Sequence, residues 1–119
     1  GDRVFFLGEN ENRYFVAELD TRYLTFEWTL YLDEIPVSGE VEHNPLLRKI
    51  TGAVLPGTGS MMMVCLTDSN YDLKRYLIRS FSGSSSADIL ETKTTTTEHL
   101  LGDAFYYNEN LLFPHGSFR

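Results

Sequence analysis

The chain has 119 residues, a formal charge of −7 and a sequence pI near 4.8. That length makes one domain able to bury about two-thirds of the surface its unfolded form exposes, so folding needs neither metal nor disulfide. The acidic balance excludes a nucleic-acid or anionic-membrane surface, which would demand clustered Lys and Arg, and the single Cys65 excludes an intramolecular disulfide framework.

Residues 3–7 (R-V-F-F-L) form a short first strand, and G-E-N-E-N at 8–12 is a polar turn, because Asn and Gly tolerate left-handed backbone. Residues 13–19 form a second strand with Phe15, Ala17 and Leu19 on one face and Tyr14, Val16 and Glu18 on the other. A reversal at Asp20-Thr21-Arg22 leads into the stretch that organises the chain, Y-L-T-F-E-W-T-L-Y-L at 23–32. Leu24, Phe26, Trp28, Leu30 and Leu32 alternate with Tyr23, Thr25, Glu27, Thr29 and Tyr31, which predicts a strand with one dry face, built round the only tryptophan, and one wet face. One-sided burial is the habit of antiparallel sheets, so the first 32 residues read as a three-strand meander.

Residues 33–45 carry Pro36, Gly39, Asn44 and Pro45 among acidic residues and read as a long connection with a short edge strand at 35–37. Strands follow at 48–55, at 61–66 (M-M-M-V-C-L, apolar enough to be buried on both faces) and at 73–81, with turns at 56–60 and 68–72. S-G-S-S-S at 82–86 is a flexible loop. Residues 89–101 form a long strand, because four successive threonines make a poor helix, and its polar groups on both faces mark it as an edge or a partner-facing strand. Residues 104–107 and 111–113 close a last hairpin before Pro114. The sum is an all-β fold with little or no helix, an antiparallel β-sandwich or barrel-like single domain of about eight to nine strands.

No apolar stretch is long enough to cross a bilayer as a helix, so no membrane insertion is expected. Gly1 leading almost directly into an apolar strand is expected of a segment cut from a longer polypeptide or of a processed product.

Chemistry-bearing constellations are sparse. Asp68, Asn70 and Asp72 copy the opening of a calcium loop, but Leu73 and Arg79 stand where that loop needs Gly and Glu, so a hairpin turn is expected, with an irregular cation site as the alternative. G-T-G-S at 57–60 lacks the lysine and the following helix of a phosphate cradle and reads as a turn. Cys65 with His43, His99 and His115 would supply a nucleophile and a base, yet Cys65 lies in the most apolar stretch, where a thiol is an inert core residue. Asp33, Glu34, Glu40 and Glu42 form a solvated acidic loop. The expectation is therefore not an enzyme, with no catalytic residue, no cofactor and no metal. Aromatics on polar faces stand out: Tyr23 and Tyr31 on the central strand, and Phe105, Tyr106 and Tyr107 in succession.

The acidic β-rich chain, the S-G-S-S-S loop, the strand T-K-T-T-T-T and the ending P-H-G-S-F-R together resemble the projection (P) domain of a nodavirus capsid protein, of the compact shrimp and prawn type. That resemblance implies a structural module at the virion surface of a small icosahedral virus, forming dimeric spikes and attaching to a host-cell surface receptor, with residues 1–119 as a single β domain, the C-terminal protrusion excised from a longer chain whose RNA-contacting arm and shell would lie upstream. Self-association through a tyrosine- and threonine-rich seam is expected, with Tyr23, Tyr31, Thr94, Thr96, Tyr106 and Tyr107 as the interface residues. The alternative reading is a barrel or sandwich that encloses a small apolar ligand among Met61, Met62, Met63 and Trp28.

Overall fold

The computed structural model describes residues 3–37, 47–96 and 98–117. Glu11 and Asn12 both take left-handed backbone, with φ of 52° and 64°. This is the two-residue hairpin turn whose twist suits paired strands, and it joins β1 (Val4–Asn10) to β2 (Arg13–Asp20) with Asn10 opposite Arg13. The second reversal is longer. Asp20 organises it by accepting the Arg22 N–H on its side chain and the Leu24 N–H on its carbonyl, at 2.9 and 2.8 Å, and the chain then enters β3 (Thr25–Glu34). The predicted meander is therefore present, as an antiparallel sheet in the order β1-β2-β3.

The alternation predicted for residues 23–32 holds only from Trp28 onward. Leu24 belongs to the turn, has φ of 57° and is 76% exposed. Glu18 pairs with Trp28 whereas the next residue, Leu19, pairs with Phe26, so Glu27 is an extra residue in β3. This bulge reverses the facing of everything before it. Phe26 consequently lies on the outer face, beside Phe6 and Phe15, while Trp28, Leu30 and Leu32 point inward.

The second sheet is also antiparallel, in the order β4 (Ile50–Val54), β5 (Met61–Thr67), β6 (Leu73–Arg79) and β7 (Asp88–Thr95). The turn before β5 is set by Gly57 and Gly59, whose φ values of 77° and 67° favour glycine, and by the Thr58 hydroxyl, which donates to the Leu55 carbonyl and accepts from the Met61 N–H. Between the sheets lies one apolar cluster. Tyr14, Val16, Trp28, Leu32 and Ile35 come from the first side, and Met62, Val64, Leu66, Tyr76 and Ile78 from the second. A fully buried side chain of this kind contributes roughly 1.5–3 kcal/mol, so this cluster is the main source of stability. The sheets face each other without closing, which makes the fold a sandwich rather than a barrel.

The C-terminal part differs most from expectation. The strand predicted over 89–101 stops at Thr95, and short pieces follow: β8 (His99–Leu100), β9 (Phe105–Tyr107), β10 (Asn110–Leu112) and β11 (His115–Gly116). β8 pairs with β11, and β9 with β10, the latter through left-handed Asn108 and Glu109. These short ladders bring the described strands to eleven, against the eight or nine expected. They lie against the outside of the second sheet, where Leu100 and Phe113 meet Cys65 and Leu73, the Ala104 N–H donates to Thr51 Oγ1 at 2.9 Å, and Lys49 pairs with Asp103. β5 is thus covered on both faces, as its unbroken apolar run required. Residues 35–37, predicted as an edge strand, form none. Ile35 instead buries its side chain in the core and donates its N–H to the Asn12 carbonyl at 2.9 Å.

Candidate functional site

The central outward positions of the first sheet can be read off its register: Val4, Phe6, Gly8, Phe15, Ala17, Leu19, Phe26, Thr29 and Tyr31. None of these carries a carboxylate or a cation, in a chain that is 23% charged, and the charged residues of this face, Arg13 and Glu34, stand opposite each other at the end of the ladder. Four rings run in succession across the three strands, Phe6 to Phe26 at 5.7 Å, Phe26 to Phe15 at 6.4 Å and Phe15 to Tyr31 at 6.2 Å between centroids, each pair inclined by 56–61°. Phe6, Phe26 and Tyr31 remain 44%, 47% and 40% exposed. Polar groups appear only at the rim, where Asn10 donates to the Tyr31 hydroxyl at 3.0 Å and the Arg13 guanidinium lies 6.0 Å from the same ring. Loss of charge at the centre with aromatic rings retained is the composition of a protein contact surface.

The six residues expected to form one seam fall in three places. Tyr31 belongs to the aromatic face, and Tyr23 stands exposed in the β2–β3 turn with Arg22 stacked over its ring. Thr94 and Thr96 lie at the free edge of the second sheet, in and just beyond β7. Tyr106 and Tyr107 are on β9, where the Tyr106 hydroxyl donates to the Val54 carbonyl. Phe6, Phe15 and Phe26 were missed as surface residues. The bulge at Glu27 hides Phe26 from an alternation count, whereas the outward Phe15 was already on the opposite face of β2 from Tyr14 and Val16.

On the inner face, Glu18 is a buried carboxylate at the junction of the two sheets. It accepts from Arg3 Nε at 2.8 Å, from Arg3 Nη2 at 2.6 Å and from the Trp28 indole N–H at 3.0 Å. Arg3 also donates to the carbonyls of Ser80 and Gly59 at 2.7 and 3.0 Å, which ties the first sheet to the second. The guanidinium and the indole hold the Glu18 carboxyl below its ordinary range against the opposing effect of burial. Both oxygens of this carboxylate are engaged by donors from the core and from Arg3, so it has structural work rather than an open site.

No family model, curated protein or solved structure matches this sequence.

The remaining candidates resolve locally. Asp68 spends its Oδ1 on the N–H groups of Asn70 and Asp72, at 2.9 and 3.0 Å, as a hairpin turn does. Among the described residues no group of three or more His, Cys, Asp or Glu side chains could hold a metal ion. Asp33 pairs with Lys74, whereas Glu40, Glu42 and His43 lie outside the described residues. Trp28 and Met62 are packed inside the core rather than lining an open interior.

Cys65 and His115 do line one cavity, of about 330 Å³, between the outer face of the second sheet and the C-terminal segment. Burial pushes the Cys65 thiol up to about 12, so it is neutral at ordinary pH and lacks the thiolate a nucleophile needs. His115 Nδ1 is engaged with Glu98 Oε2 at 2.8 Å. The rest of the cavity mixes apolar side chains, Leu73, Leu111 and Phe113, with two cations, Arg75 and Lys93.

Proposed function

We propose that this chain is a virion-surface binding module, the projection of a small icosahedral capsid, which pairs with a second copy through the aromatic outer face of its first sheet and meets a host-cell receptor through its loops. The observation that carries the pairing is the uncharged stripe Phe6-Phe26-Phe15-Tyr31, exposed on a protein whose net charge of −7 otherwise drives copies apart. A twofold contact sets a patch against itself, and an uncharged aromatic stripe does so without opposing like charges. The viral assignment itself is supported by the resemblance in chain character: an acidic β domain with the Ser/Gly loop and the threonine-rich strand. Among the described residues, the thiol of Cys65 is buried and neutral and Glu18 is engaged by Arg3 and Trp28, which supports a binding reading.

Sedimentation equilibrium tests the pairing. A dimer is expected at high concentration, and Phe26→Asp, which places a charge in the stripe, is expected to shift it to monomer without unfolding it. A strict monomer at about 1 mM protein, where a contact of only about −4 kcal/mol is already half formed, overturns the proposal.

A further inference from the structure

We infer that the cavity beneath the C-terminal segment is a binding site for a small organic anion with an apolar body, such as a medium-chain carboxylate. The inference stands independently of the pairing proposed above. Nine of the ten Lys and Arg residues are described, and seven of them hold a partner. Arg3, Arg22, Arg48, Lys49, Lys74 and Arg79 each lie within ion-pair distance of a carboxylate, and Arg13 donates to the Leu32 carbonyl. Among the described residues only Arg75 and Lys93 have neither an ion pair nor a side-chain hydrogen bond, and these two stand directly opposite each other on β6 and β7.

Like charges placed directly across a ladder are destabilising, and this chain has seventeen carboxylates with which to relieve them. Instead both cations line the same cavity. The carboxylate on its wall, Glu98, is engaged by His115. The site therefore sets two cations, neither paired with a carboxylate, against the single charge of Glu98, beside the apolar surface of Leu73, Leu111 and Phe113 and the neutral thiol of Cys65. An anionic head between Arg75 and Lys93, with its hydrocarbon against Leu111 and Phe113, satisfies both halves. The volume, about 330 Å³, is at the small end of ligand sites, roughly 300–1,000 Å³, which favours a compact molecule over a nucleotide or a long lipid.

The test is a titration with octanoate followed by amide chemical shifts, with octan-1-ol as the uncharged control. Saturable shifts centred on β6, β7 and residues 98–117 are expected, with at least tenfold weaker binding of octanol. The Arg75→Gln/Lys93→Gln variant, which relieves a like-charge pair and retains the fold, is expected to weaken octanoate at least tenfold, whereas Arg22→Gln leaves it unchanged. Should the double variant fail to fold, Lys93→Gln alone, on the exposed edge strand, is expected to weaken binding several-fold. Absence of saturable binding, shifts centred on the first sheet, equal affinity for octanol, or undiminished binding by the lysine variant would each overturn the inference.

Discussion

The indole N–H of Trp28 donates to Oε1 of Glu18 at 3.0 Å, and the same carboxylate receives a two-pronged hydrogen bond from Arg3. The two residues face each other across β2 and β3 at the bulge, so the buried indole obtains its acceptor and the buried carboxylate its counter-charge at one point. Removing the carboxylate takes the counter-charge from a part-buried guanidinium and the acceptor from a buried indole. Glu18→Ala is expected to cost about 3–5 kcal/mol in urea unfolding, and Trp28→Phe to lose about 1.5–3 kcal/mol for the charged hydrogen bond in addition to its packing. A Glu18→Ala protein within about 1 kcal/mol of the parent would mean the triad is not the joint between the sheets.

Acid should act through the same group. Arg3 holds the Glu18 carboxyl below its ordinary range, so as pH falls the unfolded chain takes up this proton before the folded one does. The stabilisation is therefore complete above the ordinary glutamate value and is lost as pH falls through the lower, folded value. Thermal unfolding from pH 7 to pH 2 is expected to show a falling midpoint in the parent. In Glu18→Gln the midpoint should begin lower and fall less steeply, and parallel curves for the two proteins would assign the acid sensitivity elsewhere.

Cys65 should be silent toward thiol reagents in the native protein. Its pKa, pushed up to about 12 by burial, leaves almost no thiolate near pH 8, and the side chain is covered by Leu73, Leu100 and Phe113. A chromogenic disulfide reagent is expected to label it fully in denaturant and, without denaturant, only at the rate at which the C-terminal segment opens. Rapid stoichiometric labelling of the native protein would contradict the burial. The sign of the linkage on the alkaline side is opposite to that of Glu18, because the folded value is the higher one. Stability from this group is intact below the ordinary thiol value and drains away as pH rises toward about 12.

Gly52 on β4 faces the core opposite Val64, and a Cβ there would sit 2.6 Å from the Met63 carbonyl oxygen and 3.0 Å from Val64 Cγ2. The backbone of β5 cannot step aside without breaking its pairing with β6. Gly52→Ala is therefore expected to destabilise by about 1–3 kcal/mol, although alanine is ordinarily the better strand residue of the two. Equal denaturation midpoints would show that the ladder flexes there.

Local chemistry made much of this fold readable. Period-2 alternation located β2 and sorted its faces correctly, and the apolar run at 61–66 announced a strand covered on both sides. Asn, Gly and Asp marked the reversals at 11–12, 57–59 and 68–72, because left-handed backbone and side-chain caps are decided within a few residues. What the sequence hid was set by pairing across distance. The extra residue at Glu27 has no composition of its own, yet it moves Phe26 from the core to the surface and with it the centre of the aromatic stripe. The stretch with the threonine run reads as one long strand, but only β7, up to Thr95, pairs with β6, while His99 and Leu100 pair with β11 in the segment that covers the second sheet. The cavity was unreadable for the same reason, since Leu111 and Phe113 join the pair of Arg75 and Lys93 only once that segment has folded back.

Leu24 offers the sharpest test of the turn that alternation overlooked. It combines a left-handed φ of 57° with 76% exposure, so its side chain gains little from burial while its backbone bears the clash that L residues suffer in this region, about 1–2 kcal/mol. Glycine removes the clash but adds freedom to the unfolded chain worth about 0.5–1 kcal/mol. Leu24→Gly is therefore expected to stabilise the domain by about 0.5–1 kcal/mol. Leu24→Val, β-branched and stiffer, is expected to destabilise it further, and urea midpoints of the three proteins order the series Gly, Leu, Val. If valine proved the most stable, residue 24 would belong to a regular strand and the outward facing of Phe26 would need a cause other than the bulge at Glu27.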